Sequence, residues 1–437
     1  MDILHIAALL IVLAGLFGAF NYLVLKLPQA IGILIVALAA SLAVMAIGAL
    51  VPGAGLTDTI RASVLEIEFA DALLEIMLGL LLFAGALHVR VEDLRAEWPV
   101  VLSVATLGIG ISVLVAGGAA WAVTGMPILV ALTFGAIVSP TDPVAVLGVL
   151  KAAKLPPSLQ TRIAGESLFN DGVGYVAFLI LAGLAFPAAD AHGAAAGHGG
   201  GAAAGALRLF LQEAVGGAAL GLVLGWLTFR LMRLIDDYAL EVLLTLGLAF
   251  GGYVAAGLLH VSGPIVAVSA GLLIGDVGAR RGMSERTRDY VDLFWKLVDE
   301  ILNAVLFLMI GVEVFAIALD RDSALFYALA VPIALVARFA AVAIPIQALR
   351  AFRTYDPGVI RVMTWGGLKG GISVALALSL PDTEWTPAIL TATYLIVIFS
   401  IIVQGLTVAP VARRVVKTDP PDITPRRRRT DDGAGST

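Results

Sequence analysis

The sequence predicts an all-α, polytopic membrane protein of about thirteen transmembrane helices, built as two inverted six-helix halves with one broken helix in each. Three observations carry this expectation. The composition is too apolar for a soluble domain of 437 residues: 60% are hydrophobic and 14% charged, with a mean hydropathy of +0.98, against roughly half apolar and a quarter charged in ordinary soluble proteins. The apolar residues fall into runs near the roughly 20 residues that cross a hydrocarbon core. Two of those runs carry polar, helix-breaking residues at matching places.

The runs lie at about 4–25, 30–50, 66–88, 98–123, 127–150, 163–186, 206–234, 238–260, 264–278, 289–319, 324–349, 357–381 and 386–411. No basic residue precedes the first, Lys26 being the first in the chain, so this span is expected to stay in the mature protein rather than act as a cleaved signal. Residues 1–411 then form the membrane domain, with halves at 4–186 and 238–411 joined by the seventh span at 206–234. The Ala/Gly-rich stretch 187–205, with His192 and His198, reads as a flexible external loop. Residues 412–437 read as a disordered cytoplasmic tail whose run Arg426 to Arg429 is placed to touch anionic lipid.

Orientation follows from the basic residues. With the N-terminus outside, 22 of the 28 Lys and Arg fall in cytoplasmic segments and three (Arg61, Arg208, Arg321) in external ones, while Lys296, Arg338 and Lys369 lie within spans. That asymmetry places the C-terminus in the cytoplasm. Short loops without a large soluble domain suggest a bacterial inner membrane. The absence of cysteine excludes disulfides, thiol catalysis and thiolate metal sites. Neither a cofactor nor a nucleic-acid partner is expected.

The fifth span holds Ser139-Pro140-Thr141-Asp142-Pro143 and the twelfth holds Gly366-Gly367-Leu368-Lys369-Gly370-Gly371. Proline removes a backbone donor and clashes with the preceding turn, and a cluster of glycines weakens a helix and allows close approach. Both spans should therefore unwind near the midplane. Each break is the fifth span of its half, and the offsets agree: Asp142 lies 138 residues into the first half and Leu368 lies 130 into the second. Paired broken spans in halves of opposite topology mark a midplane transport site. An acid suits the N-terminal end of a half-helix and a base the C-terminal end, so Asp142 and Lys369 are expected to act as fixed counter-charges.

The sixth span contains Gly165-Glu166-Ser167-Leu168-Phe169-Asn170-Asp171, two carboxylates with an amide and a hydroxyl. An ionisable residue in hydrocarbon costs at least a few kcal/mol even on lenient scales, so it usually faces a cavity and handles ions or protons. These residues point to an ion carrier. Asp71 and Glu75, four apart on the third span, share a helix face that either lines the ion path or meets water at the span's outer end. Lys296, Asp299 and Glu300, spaced three and four apart, are expected to form local helix pairs at the cytoplasmic entrance. Glu313 reads as structural.

Gly165 to Val173, Ser139 to Pro143, Phe307-Leu308-Met309-Ile310-Gly311-Val312-Glu313 and Trp365 to Ser373 together resemble the signature of the NhaP/NHE-type monovalent cation/proton antiporters. The resemblance covers nearly all of the chain through about residue 411 and rests on four motifs in the right order. It implies an NhaA-like antiporter fold, a homodimer, and a six-helix core that moves like an elevator. It also implies exchange of Na+ or Li+ against H+ and a part in pH homeostasis. In that family the pair Asn170-Asp171 is associated with electroneutral exchange, one H+ per Na+. Glu166 and Arg338 match positions that form a buried ion pair there. Many relatives carry Arg in place of Lys369; a lysine keeps the charge that a dipole role needs but lacks the planar fork for a bidentate contact.

Na+ is a hard cation that prefers oxygen ligands, and Asp171, Asp142, Ser167 and an oxygen of Thr141 would supply them. In a low-dielectric cavity the charged form of a carboxylate is disfavoured, so Asp171 can hold a proton when no cation is bound. Cation and proton then compete for one carboxylate. Asn170 cannot titrate, and its amide suits orienting Asp171 or Thr141. For Glu166 the expected role is to lock two core helices through Arg338 rather than to carry protons. An intramembrane hydrolase is disfavoured because His5, His88, His192, His198 and His260 all sit at span ends or in loops. A cation channel shares the broken helices and carboxylates but lacks a repeated selectivity loop. A K+/H+ exchanger stays open as the alternative, because cavity size and ligand number decide cation choice.

Overall fold

The structure, a computed structural model, describes residues 3–50, 77–142, 157–187, 202–317, 320–351, 355 and 358–415. Among these residues there is no strand, and nine helices are long and apolar enough to cross a membrane. In chain order the helices are α1 (Ile3–Phe20), α2 (Gln29–Leu50), α3 (Leu78–Leu87), α4 (Val91–Thr124), α5 (Ile128–Ile137), α6 (Pro157–Ala185), α7 (Arg208–Met232), α8 (Tyr238–Leu258), α9 (Gly263–Arg281), α10 (Glu285–Val312), α11 (Ala324–Leu349), α12 (Val359–Trp365), α13 (Gly371–Leu378) and α14 (Thr386–Val415).

Their ends follow local chemistry. Asp237 caps α8 by accepting from the amides of Ala239 and Leu240, both at 3.0 Å, and Ser262 and Ser284 cap α9 and α10 in the same way. Of the boundaries that differ from the apolar runs, three bear on the expectations above. Helix α4 starts seven residues before the expected span, because its opening residues, Val91-Glu92-Asp93-Leu94-Arg95, are helical but charged. The helix leading into α7 begins at Ala202, inside the stretch read as a loop. At the other end α14 runs on through Val415 into the stretch expected to be a disordered tail, with Arg413 and Arg414 in its last turn, where cations complement the helix dipole.

Three buried apolar clusters hold the bundle. One joins α1, α2, α10, α12 and α14. A second joins α4, α5, α11 and α14, and a third joins α3, α8, α9 and α10. In a bilayer, helix association relies on close packing rather than on a hydrophobic gain, so small residues mark the tight contacts. At Gly135 of α5 an added Cβ would lie 2.4 Å from the backbone oxygen of Val113 in α4, a contact that only glycine permits. That contact presses α5 onto α4.

Candidate functional site

Helix α5 ends at Ile137, and residues 138–142 are not helical. Helix α12 ends at Trp365, and α13 resumes at Gly371 after an extended stretch. The two breaks cross in contact: the Asp142 amide donates to the Leu368 carbonyl at 2.8 Å. Lys369 Nζ donates to the carbonyls of Ser139 at 2.8 Å and Pro140 at 3.2 Å, at the C-terminal end of α5. Asp142 packs on Gly370, where a Cβ would lie 2.7 Å from its Oδ2, at the N-terminal end of α13. Each half-helix end thus faces a charge of the sign its dipole favours. Backbone freed by the second break is satisfied from α14: the Lys369 amide donates to Ser400 Oγ at 2.8 Å, and Gln404 Nε2 donates to the Trp365 carbonyl at 3.1 Å.

Helix α6 lies against the first break. Glu166, Ser167, Asn170 and Asp171 are all buried. Asn170 accepts from the Thr141 amide at 3.2 Å and donates to Thr141 Oγ1 at 2.7 Å and Glu166 Oε1 at 2.6 Å, so its amide ties the break to the helix. The Thr141 and Ser167 hydroxyls are 3.1 Å apart. From α11, Arg338 grips Glu166 with two bonds, Nη1 to Oε1 at 2.6 Å and Nη2 to Oε2 at 2.7 Å, and reaches the Met363 carbonyl at 3.1 Å. This bidentate pair joins α6, α11 and α12. Asp171 Oδ1 is buried and finds no hydrogen-bonding partner among the described residues.

Gly367 lies flush against the pair, and a Cβ there would sit 2.1 Å from Arg338 Nε. A flexible side chain could yield, but three bonds hold this guanidinium. Gly367→Ala is therefore expected to destabilise the protein by about 1–3 kcal/mol through overpacking, read as a lower thermal unfolding midpoint in detergent.

A cavity of about 700 Å³ reaches Thr141, Asp142 and Asp171 from a mouth that includes Arg90 and Asp93. Lys296, Asp299, Glu300 and Asn303 of α10 line it, as does Ser373 of α13. Within α10, Asp299 Oδ1 accepts from Asn303 Nδ2 at 3.0 Å, and Lys296 and Glu300 lie on the same cavity wall. Ser167, Asn170, Glu166, Arg338 and Lys369 are not among its lining residues, and Ser167 and Asn170 reach it through Thr141, to which both are bonded. Asp71 and Glu75 lie outside the described residues, and so do His192 and His198. Glu313 is buried in the short 3-10 turn that follows α10. At the mouth end of α6, Arg162 pairs with Glu97 of α4 at 2.6 Å. Sequence reading missed Asn303, although it continues the helix face of Lys296 and Glu300 by one more turn.

A helical membrane protein in which the non-helical stretch after α5 crosses the break between α12 and α13 beside buried carboxylates, at the end of a cavity, has the build of a secondary transporter. The chain belongs to the sodium/hydrogen exchanger family: the family model described as "Sodium/hydrogen exchanger, transmembrane" matches residues 6–414. It is 43% identical to the Na(+)/H(+) antiporter NhaP of Pseudomonas aeruginosa over 429 residues, covering 95% of this chain and 98% of that protein. It is 36% identical to the Na(+)/H(+) antiporter NhaH of Halobacillus dabanensis, covering 90% and 93% of the two chains. Its fold resembles the structure of the sodium proton antiporter MjNhaP1 from Methanocaldococcus jannaschii, with a TM-score of 0.72 at 19% identity over 95% of this chain and 99% of that one.

Proposed function

We propose that this protein exchanges Na+ or Li+ for H+ across a bacterial inner membrane, with cation and proton competing for Asp171. The observation that carries the reading is the buried Asp171 carboxylate on the cavity wall, with one oxygen lacking a hydrogen-bonding partner among the described residues and with Asp142 and Thr141 beside it on the same cavity. Relatives that share 43% and 36% of their residues with the chain are Na(+)/H(+) antiporters. Asp171, Asp142, Thr141 and Ser167 hold the cation through oxygen, as a hard ion requires. Asn170 orients Thr141, Lys369 and Asp142 compensate the half-helix ends, and the Glu166–Arg338 pair locks the helices around them.

The empty site carries uncompensated charge, and its desolvation cost opposes crossing; only the cation-loaded and proton-loaded forms cross, which makes exchange obligatory. With Asn170 unable to titrate, one proton balances one cation and transport is electroneutral. The protein works as a homodimer of thirteen-span protomers with inverted halves, its N-terminus outside and its C-terminus in the cytoplasm. The core carries the site between faces in elevator fashion, and the cavity that includes Arg90 faces the cytoplasm.

Proteoliposomes loaded with a pH-sensitive dye test this. With valinomycin and equal K+ on both sides holding the voltage at zero, external Na+ or Li+ should alkalinise the lumen, and an imposed voltage should leave the rate unchanged. A response to K+ alone, measured with a different permeant ion as clamp, would make the protein a K+/H+ exchanger. No response to any of the three would overturn antiport.

A further inference from the structure

Two buried oxygens on the cavity wall have no hydrogen-bonding partner among the described residues: Asp171 Oδ1 and Ser373 Oγ. Their residues are 3% and 1% exposed. An unpartnered buried hydroxyl is costly, and its place in the chain explains how it arises. A serine within a helix ordinarily turns its hydroxyl to the carbonyl three or four residues back. For Ser373 those residues are Gly370 and Lys369, which belong to the extended break before α13 rather than to a helix. The break that positions Lys369 therefore also strips Ser373 of its usual acceptor. Ser373 lies three residues beyond Gly370, the glycine on which Asp142 packs.

We propose that Ser373 supplies a further oxygen ligand to the transported cation, on the α13 side of the site. The proposal rests on the reading of Asp171 as the cation-binding carboxylate. A hydroxyl suits the task because its lone pairs can face a hard cation while its hydrogen is donated to a neighbouring carboxylate. It adds a ligand without adding charge, so the one-for-one balance of cation and proton is kept. The same chemistry makes Ser373 matter to cation affinity and not to the proton-loaded form.

The test measures Na+-driven exchange in proteoliposomes for the wild type, Ser373→Ala, Ser373→Thr and Ser373→Cys. Ser373→Ala should raise the KM for Na+ about five- to tenfold, the cost of one lost ligand oxygen, with the maximal rate within about twofold of wild type. Ser373→Thr, which keeps the hydroxyl, should restore much of the affinity. Ser373→Cys nearly preserves volume but offers soft sulfur in place of hard oxygen, so it should raise KM as Ala does and serves if the Ala variant fails to fold. An unchanged KM in the Ala and Cys variants, or a fall in maximal rate alone, would overturn the ligand role and leave Ser373 as a packing residue. A wild type inert to Na+ would overturn the Na+ reading itself, an outcome distinguishable from the failure of Ser373.

Discussion

Asp171→Asn is expected to reduce exchange to the level of protein-free liposomes while leaving the protein folded. The carboxamide has nearly the same shape as the carboxylate, and Oδ1 loses no hydrogen bond because it makes none to the described residues. The thermal midpoint in detergent should therefore stay close to that of the wild type. Function should not survive, because a neutral amide neither takes up a proton at ordinary pH nor balances a buried cation. Removing one partner of a buried charge pair costs about 3–5 kcal/mol, which is more than about a hundredfold in affinity. The Asn variant should thus show no measurable Na+ or Li+ response at concentrations that saturate the wild type. A variant that still exchanged at a tenth of the wild-type rate would move the shared site away from Asp171.

Arg338→Ala is expected to give the largest loss of stability of any single substitution in the core. It removes both bonds to Glu166 and the bond to the Met363 carbonyl, leaving the Asn170 amide at 2.6 Å as the hydrogen-bond donor to the buried carboxylate among the described residues. An orphaned buried charge of this kind costs about 3–5 kcal/mol. The paired substitution Glu166→Gln with Arg338→Met removes both charges, keeps an acceptor for Asn170, and should recover most of the lost thermal midpoint. The same pair distinguishes the two roles for Glu166. If Glu166 only locks helices, the double variant should regain exchange together with stability. A double variant that is stable but inert would assign proton carriage to Glu166.

The breaks were legible in the sequence because polar and glycine residues interrupt two apolar spans at matching offsets; proline alone is not the signal. Pro99, Pro332, Pro345 and Pro410 all lie inside continuous helices, where neighbouring groups re-satisfy the freed backbone. Ser139-Pro140-Thr141-Asp142 differs in offering several polar groups that need partners which a lipid-facing helix lacks. The contact of Lys369 with the end of α5 was legible in kind, since a buried base needs a compensating dipole. Its particular acceptors, the Ser139 and Pro140 carbonyls, were not.

Spacing along one helix reveals which residues share a face but not what that face meets. Lys296, Asp299 and Glu300 share a face by their spacing, and that face turns to the cavity, where Asn303 donates to Asp299. Arg162 and Glu97, 65 residues apart, leave no periodic trace at all. Ser373 was equally hidden, because a single serine in an apolar helix looks like any other until the break before it removes its usual acceptor. The charged start of α4 was missed for a simpler reason: hydropathy marks where the chain meets lipid, and helices continue past it.

The central claim is that cation and proton share one carboxylate, and the dependence of the Na+ KM on pH tests it most directly. In proteoliposomes with voltage clamped at zero, protons competing for Asp171 should raise the KM for Na+ as the pH falls, by up to about tenfold per pH unit once the protonated form dominates. The maximal rate at saturating Na+ should hardly change. A KM independent of pH, with the maximal rate alone falling on acidification, would contradict competition at Asp171 and place proton and cation at separate sites.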